Sequence, residues 1–507
     1  MLLMPAPPAC AKGKAQHIVV VVWDGLRPDC VTERDTPTLF KLAKEGAFFQ
    51  NHHAVFLSST QVNGTAMATG SYPYRSGILA NRDYRPAFDP LRPTGVDSNE
   101  LIRATDARTQ GRFIAVPTLA EIIRRAGQTT AIAGTKTVAL LHDRAERDIH
   151  EHGCCVNVFA GQTLPGMSLD KLSATIGPFP IKTMPNHAQD KWSTASLTDF
   201  LWKENLPTFS LLWLSEPDYT QHATAPGSPE ARAALKSSDD NLAALLRFLD
   251  QRKLRASTDI FVVADHGFST TSARVAVAAK LRDAGFNARR EFEAAPVKGD
   301  IVVAGNGGAV LLYVIERDPD VTRRVVEWLQ QQDFPGVIAT KEKFRGTLTL
   351  DKLRIHVPEP PDIVVSMRWT GDKSPHDLAG MLIADGNPAV TGVGGHHGSL
   401  SAYDMRSTLI AHGPDFRRGM VNQLPSGNVD LAPTVLWLLG IEPPGRPDGR
   451  ILLEAIAGST MKLPPIEMET LEASREFEKS IWQQYVRVTK FAGTVYFTEG
   501  NGAATNR

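Results

Sequence analysis

His17 to Asp29 reads "HIVVVVWDGLRPD": a β-branched apolar run from Ile18 to Val22, then Trp23, ending at Asp24 and Gly25. The hydrophobicity is continuous rather than alternating, so the strand it predicts is buried on both faces, as in a parallel sheet under helices. "TPTLFKLAKEGAFF" follows, from Thr36 to Phe49. Thr36 suits a helix cap, Pro37 the first turn and Gly46 the stop, which completes a βα unit. The pattern recurs at "VPTLAEIIRRAG" with "QTTAIAG" (116–134), at "PTFSLLWLSEPD" (207–218) and at "STDIFVVADHG" (257–267). Such alternation predicts an α/β fold with an open, mostly parallel central sheet and helices on both faces. Two of these strands run into Asp24 and Asp265, and Asp218 follows a third. Ligands of open α/β sheets bind beyond the carboxyl ends of the strands, so three carboxylates are delivered to one rim.

Outside these units the chain divides by pattern. Residues 1–16 form an N-terminal tail whose short apolar run precedes Lys12 and Lys14, the reverse of an export signal's charge order. The start reads as either a truncated export signal or a frayed tail; a periplasmic or extracellular location is expected, with a cytoplasmic one left open. Residues 274–373 give helix, strand, helix, strand without acidic strand ends and read as an inserted α+β cap over the site. Its "GNGG" at 305–308 lacks the Lys and Ser/Thr of a phosphate-binding loop and reads as a turn. The core therefore comprises 17–273 and 374–460, followed by a C-terminal extension at 461–507. Within the extension, "QYVRVTKFAGTVYF" has strand character and "TEGNGAATNR" reads as a disordered end.

Bulk properties exclude several classes of function. The 507 residues are 42% hydrophobic and 22% charged, with 55 basic side chains against 55 acidic ones. This balance provides no field for a nucleic-acid polymer. No run reaches the ~18 apolar residues of a spanning helix. Cys10, Cys30, Cys154 and Cys155 make neither a disulfide framework nor a zinc-ribbon spacing. Oligomeric state is not legible.

Four short groups carry ligand chemistry: Asp24; Asp218 and His222 in "EPDYTQH"; Asp265 and His266 in "VVADHGF"; His396 and His397 in "GVGGHHGS". Asp and His four apart share one face of a helical turn and can hold one ion. At most one of His396 and His397 need be a ligand. Six ligands then split as Asp/His/His and Asp/Asp/His, the donor sets of two zinc-like sites. Two such ions, roughly 3.5–4 Å apart, clamp the attacking and leaving oxygens of a phosphoryl displacement. They also supply an activator for the hydroxyl-rich stretch 54–81, which has no nearby base of its own.

These motifs resemble the alkaline phosphatase superfamily and, within it, the type I phosphodiesterase and nucleotide pyrophosphatase family. The resemblance rests on "VVWDGLRPD", "STQVNGTAMATGSYPYRSGILAN", "EPDYTQH", "ADHG", "GHHGS" with "MRSTLIAHGPDF", and "NVDLAPTVLWLLGI", in that order. It implies Thr60 as nucleophile through a phospho-threonine intermediate. It implies Asp24, Asp265 and His266 around the ion that activates Thr60, and Asp218, His222 and His397 around the ion on the leaving-group side. Both ions are expected to be zinc, and Asn81 is expected to contact a phosphate oxygen. Lys136, in "AIAGTKTVALLHDR", stands where the superfamily's monoesterases carry a charge-balancing lysine. The sequence departs from the family at Gln61–Gly64 and at Arg75–Gly77, beside the nucleophile.

The expected partner is a small phosphate ester such as a nucleotide, with diester or pyrophosphate hydrolysis first. Phosphomonoester hydrolysis is the alternative, ahead of sulfate or phosphonate esters. A binding module without turnover is disfavoured because every metal and nucleophile position is chemically competent. The sequon at Asn63–Thr65 falls on the segment behind the nucleophile and reads as buried rather than glycosylated.

Overall fold

The run that opens the sequence becomes the strand His17–Trp23 at the heart of a ten-stranded sheet. The structure is a computed structural model and describes residues 13–145, 157–390, 392–460 and 464–507. Cys10, Cys154 and Cys155 lie outside the described residues. His17–Trp23 pairs in parallel with Phe209–Leu214 on one side and Thr258–Val263 on the other, Val21 facing both Leu212 and Val262. Its alternate residues enter different cores. Val20 and Val22 pack with Trp213, Phe261 and the helix Leu431–Leu439. Val19, Val21 and Trp23 pack with Leu39, Trp202 and the helix Pro229–Gln251. Both faces are dry, which is why the run does not alternate.

From one edge the sheet runs Met420–Asn422, Ala47–His53, Arg406–His412, Thr258–Val263, His17–Trp23, Phe209–Leu214, Thr130–Gly134, Asn157–Phe159 and Gln162–Leu164. Ser426–Gly427 also pairs with Ala47–His53. The strands from Thr258–Val263 through Asn157–Phe159 are mutually parallel. Arg406–His412 is antiparallel to both its neighbours. The architecture is thus the expected mixed α/β fold.

Between Ser269–Val275 and Ala379–Asp385, which pair in parallel, the chain builds a separate six-stranded sheet. Its central strands are Ile301–Gly305, Ala309–Val314, Ile363–Met367 and Pro335–Thr340, packed against helices Val277–Asp283 and Pro319–Leu329. The "GNGG" segment is the turn between the first two of these strands.

Two local expectations need correction. Thr36 precedes the helix Pro37–Glu45 but makes no side-chain cap; its Oγ1 donates instead to the Thr32 carbonyl. The amides of Thr38 and Leu39 are taken by the Asp239 carboxylate at 3.0 and 2.9 Å, from the helix Pro229–Gln251. The C-terminal "TEGNGAATNR" is not disordered: Thr494–Asn506 is the last strand of a three-stranded antiparallel sheet with Ser480–Phe491 and Glu467–Glu476. Its glycines serve close approach rather than disorder. A Cβ on Gly502 would lie 2.4 Å from the Gly336 carbonyl oxygen, and Trp369 Nε1 donates to the Gly500 carbonyl at 2.8 Å.

Candidate metal centre and nucleophile

Four strand ends and two loops meet at one rim. Asp24 follows His17–Trp23; Asp265 and His266 follow Thr258–Val263; Asp218 opens the helix Asp218–Thr224 just beyond Phe209–Leu214. Lys136 lies two residues past Thr130–Gly134. Thr60 is the first residue of the helix Thr60–Thr69; His396 ends the short strand Gly395–His396, paired with Ser269–Thr270, and His397 follows it.

The structure brings all the expected ligands together. His266 Nε2 is 3.2 Å from Asp265 Oδ2 and 3.6 Å from Asp24 Oδ1, with Thr60 Oγ1 at 3.3 Å. Asp218 Oδ1 lies 3.3 Å from His222 Nε2 and 3.4 Å from His397 Nε2. The two sets touch where the His266 and His397 rings stack at 3.6 Å. His396 sits beside His222 and His397, its ligand nitrogen within 4.8 Å of theirs.

Two observations fit these sets to cations. Asp24 Oδ1, Asp218 Oδ1 and Asp265 Oδ2 are buried with no hydrogen-bond donor, an arrangement costly without a compensating positive charge. Each histidine of the two sets also donates Nδ1–H to a backbone carbonyl: His222 to Gly395, His266 to Gly267 and His397 to Ser58. That bond fixes the tautomer and leaves the Nε2 lone pair facing the carboxylates, as in metal-ligating histidines.

Lys136 is half-buried with its ammonium turned inward. Its Nζ bonds Asp24 Oδ2 at 2.8 Å and Asp218 Oδ2 at 2.6 Å, one carboxylate from each ligand set. Burial alone would raise the Asp218 pKa, but Lys136 and His222 hold it well below the ordinary value. Asp24 is pushed well above its ordinary value by burial and by Asp265, and burial lifts Asp265 to about 7. Three clustered carboxylates against one ammonium thus remain short of positive charge.

The segment that carries Thr60 is fixed from several directions. Asn81 Oδ1 accepts from the Gln61 amide at 3.0 Å, which commits its oxygen to the helix start and leaves its Nδ2 as a donor. Asn63 is buried; its Nδ2 donates to the carbonyls of Val55, Leu57 and Ser59, in agreement with the unglycosylated reading. Thr65 and Thr69 bond back along the helix, whereas Ser58 Oγ reaches across to the Ser399 carbonyl. Gly64, one of the departures from the family pattern, sits in close packing: a Cβ there would lie 2.6 Å from Val138 Cγ2.

Several participants escape sequence reasoning. Asn428 Nδ2 bonds the carbonyl of Asp265 at 2.6 Å and Asn63 Oδ1 at 3.0 Å, joining the nucleophile turn to a ligand strand. Asp97 Oδ2 accepts from Gln61 Nε2 and from the Thr137 hydroxyl. Asp404 receives Ser269, Ser399 and the Ser399 amide, shaping the loop that carries His397. Asn428 opens the quoted "NVDLAPTVLWLLGI", but its bonds to Asp265 and Asn63, like those of Asp97 to Gln61 and of Asp404 to Ser269, span the chain and cannot be read from a local pattern.

Fold and rim together define the class: an alkaline phosphatase-like α/β enzyme that hydrolyses phosphate esters. The chain belongs to the type I phosphodiesterase / nucleotide pyrophosphatase family, whose sequence model matches residues 18–391. It is 22% identical to the bis(5′-adenosyl)-triphosphatase of Xenopus laevis over 86% of this chain and 80% of that protein. Against venom phosphodiesterase 2 of Crotalus adamanteus it is 25% identical, over 52% of this chain but only 28% of the venom protein. Human ectonucleotide pyrophosphatase/phosphodiesterase family member 7 is 22% identical over 92% of this chain and 88% of its own length. Among solved structures, an inactive threonine-to-alanine variant of murine ectonucleotide pyrophosphatase/phosphodiesterase 5 in complex with AMP aligns with a TM-score of 0.59. That match has 17% identity and covers 85% of this chain and 96% of the murine one.

Proposed function

We propose that the protein is a two-metal hydrolase of phosphodiesters or pyrophosphates, nucleotides among them, with Thr60 as nucleophile. The observation that carries this reading is Thr60 Oγ1 lying 3.3 Å from His266, in one of two abutting Asp/His sets whose buried carboxylate oxygens lack donors. Asp24, Asp265 and His266 would hold one ion, and Asp218, His222 and His397 the other; mixed carboxylate and imidazole donors suit zinc. When bound, the ions supply Lewis-acid stabilisation of charge on the attacking and departing oxygens.

The chain's own residues do the rest. The Thr60 Oγ1–phosphorus bond forms as the ester oxygen departs, and water then cleaves the phospho-threonine to restore Thr60. Asn81 Nδ2 donates to a phosphate oxygen as charge builds there. The nucleotide assignment draws support from the adenosyl-triphosphatase among the relatives and from AMP bound by the murine protein. A periplasmic or extracellular location draws on relatives named as venom and ecto-enzymes. Among the described residues no helix is long and apolar enough to cross a membrane.

Monoester hydrolysis is the second reading, and Lys136 favours it: an ammonium at the joint of the two sets adds charge that a dianion rewards more than a monoanion. The test compares kcat/KM for bis-p-nitrophenyl phosphate and p-nitrophenyl phosphate. Thr60→Ala should lose at least ~10³-fold on both substrates. Lys136→Ala should fall further on the monoester than on the diester. Full activity in Thr60→Ala would refute the nucleophile, and an unchanged substrate ratio in Lys136→Ala would remove the lysine's role.

A further inference from the structure

The site holds four histidines, and one is bonded the other way round. His222, His266 and His397 each donate Nδ1–H to a carbonyl. At His396, Nδ1 instead accepts the backbone N–H of His397, at 3.1 Å. A neutral imidazole carries one N–H, so the proton of His396 is on Nε2. Its ring lies edge-on to His222, with centroids 4.7 Å apart, and is only part-buried.

The ring's position is built rather than incidental. Gly307, in the cap's turn, has φ +67°, and a Cβ on it would come within 1.8 Å of the His396 ring. The Gly308 amide donates to the His397 carbonyl at 2.8 Å, fastening the same turn to the histidine loop. Asn306 Oδ1 accepts the amide of Arg82, the neighbour of Asn81, at 2.9 Å. One turn of the cap therefore holds both the His396 ring and the strand end that carries Asn81.

We propose that His396 Nε2–H is a hydrogen-bond donor to the departing ester oxygen, a specificity-determining residue that favours esters with poor leaving groups. The proposal rests on the two-metal reading, in which His222 and His397 lie on the leaving-group side. His396 is thereby distinguished from its neighbour His397: the tautomer that suits the one as a ligand suits the other as a donor.

The test measures kcat/KM for methyl aryl phosphodiesters bearing 4-nitrophenol, 4-chlorophenol and phenol as leaving groups. It compares wild type, His396→Leu and His396→Gln, and measures zinc content and melting temperature for each. The Leu variant should lose activity progressively as the leaving-group pKa rises, reaching ~10-fold for phenol, the scale of one hydrogen bond. The Gln variant, which keeps a donor near Nε2, should recover part of that loss, and both should bind as much zinc as wild type. Equal losses across the series would overturn the proposal, as would loss of one zinc ion in both variants, which would make His396 a ligand. A melting temperature lowered in Leu but not in Gln, with no change of slope, would make it a packing residue and also overturn the proposal. Failure of the underlying reading looks different: wild type itself would hold no zinc or turn over none of the esters, and the proposal would fall with it.

Discussion

In the proposed mechanism Asn81 serves two ends. Its oxygen is fixed by the Gln61 amide, so its nitrogen keeps one orientation relative to Thr60. Asn81→Ala should lower kcat for bis-p-nitrophenyl phosphate by ~10²-fold, the usual cost of one donor to a charged transition state. Asn81→Asp, which keeps the oxygen but loses the donor, should lower it similarly in the same assay. At this scale the grouping of the candidate ligands at one rim was legible, because Asp24, Asp218, His222, Asp265, His266 and His397 each stand in a short motif at or just beyond a strand. The contacts of Asn428, though it opens a quoted motif, and of Asp97 were not: Asn428 meets Asn63 across 365 residues, and Asp97 meets Gln61 across 36. An Asn or Asp with only distant partners leaves no local signal.

At the scale of elements, the first helix is capped from outside itself. Asp239, on the helix Pro229–Gln251, receives two first-turn amides that Thr36 was expected to satisfy in part. Asp239→Ala should cost about 1 kcal/mol, typical of a lost cap, while Thr36→Val should cost less at the cap itself. Urea unfolding of the two variants checks the order. Strand positions followed from apolar runs because a strand buried on both faces leaves no choice of residue. The end of the final strand, beyond Phe497, escaped because glycines that signal disorder in isolation here let the backbone pass close to Gly336 and Trp369.

For the whole molecule, charge burial links stability to its surroundings in two places. The rim gathers Asp24, Asp218 and Asp265 with three donor-less oxygens, so chelation should lower the melting temperature and zinc should restore it. Calorimetry with and without chelator measures this, and an identical melt would deny that the rim binds metal. Asp259, remote from the rim, is lifted to about 9 by burial and by Asp415, which also receives the amides of Lys14 and Ala15. Below about pH 4 Asp259 is protonated in both folded and unfolded chains. As pH rises toward about 9 the folded chain keeps a proton that the unfolded chain has lost, so this group's contribution to stability falls with rising pH. Asp259→Asn should therefore raise stability by about 1–3 kcal/mol at pH 8 and change it little near pH 4.

The proposed chemistry turns on Thr60. The most direct measurement is acid-quenched mass spectrometry of the zinc-loaded enzyme mixed with bis-p-nitrophenyl phosphate, followed by peptide mapping. The account predicts a p-nitrophenyl-phosphoryl adduct on Thr60, absent from Thr60→Ala, which should also lose turnover. An adduct on another residue, or undiminished turnover by Thr60→Ala, would contradict it.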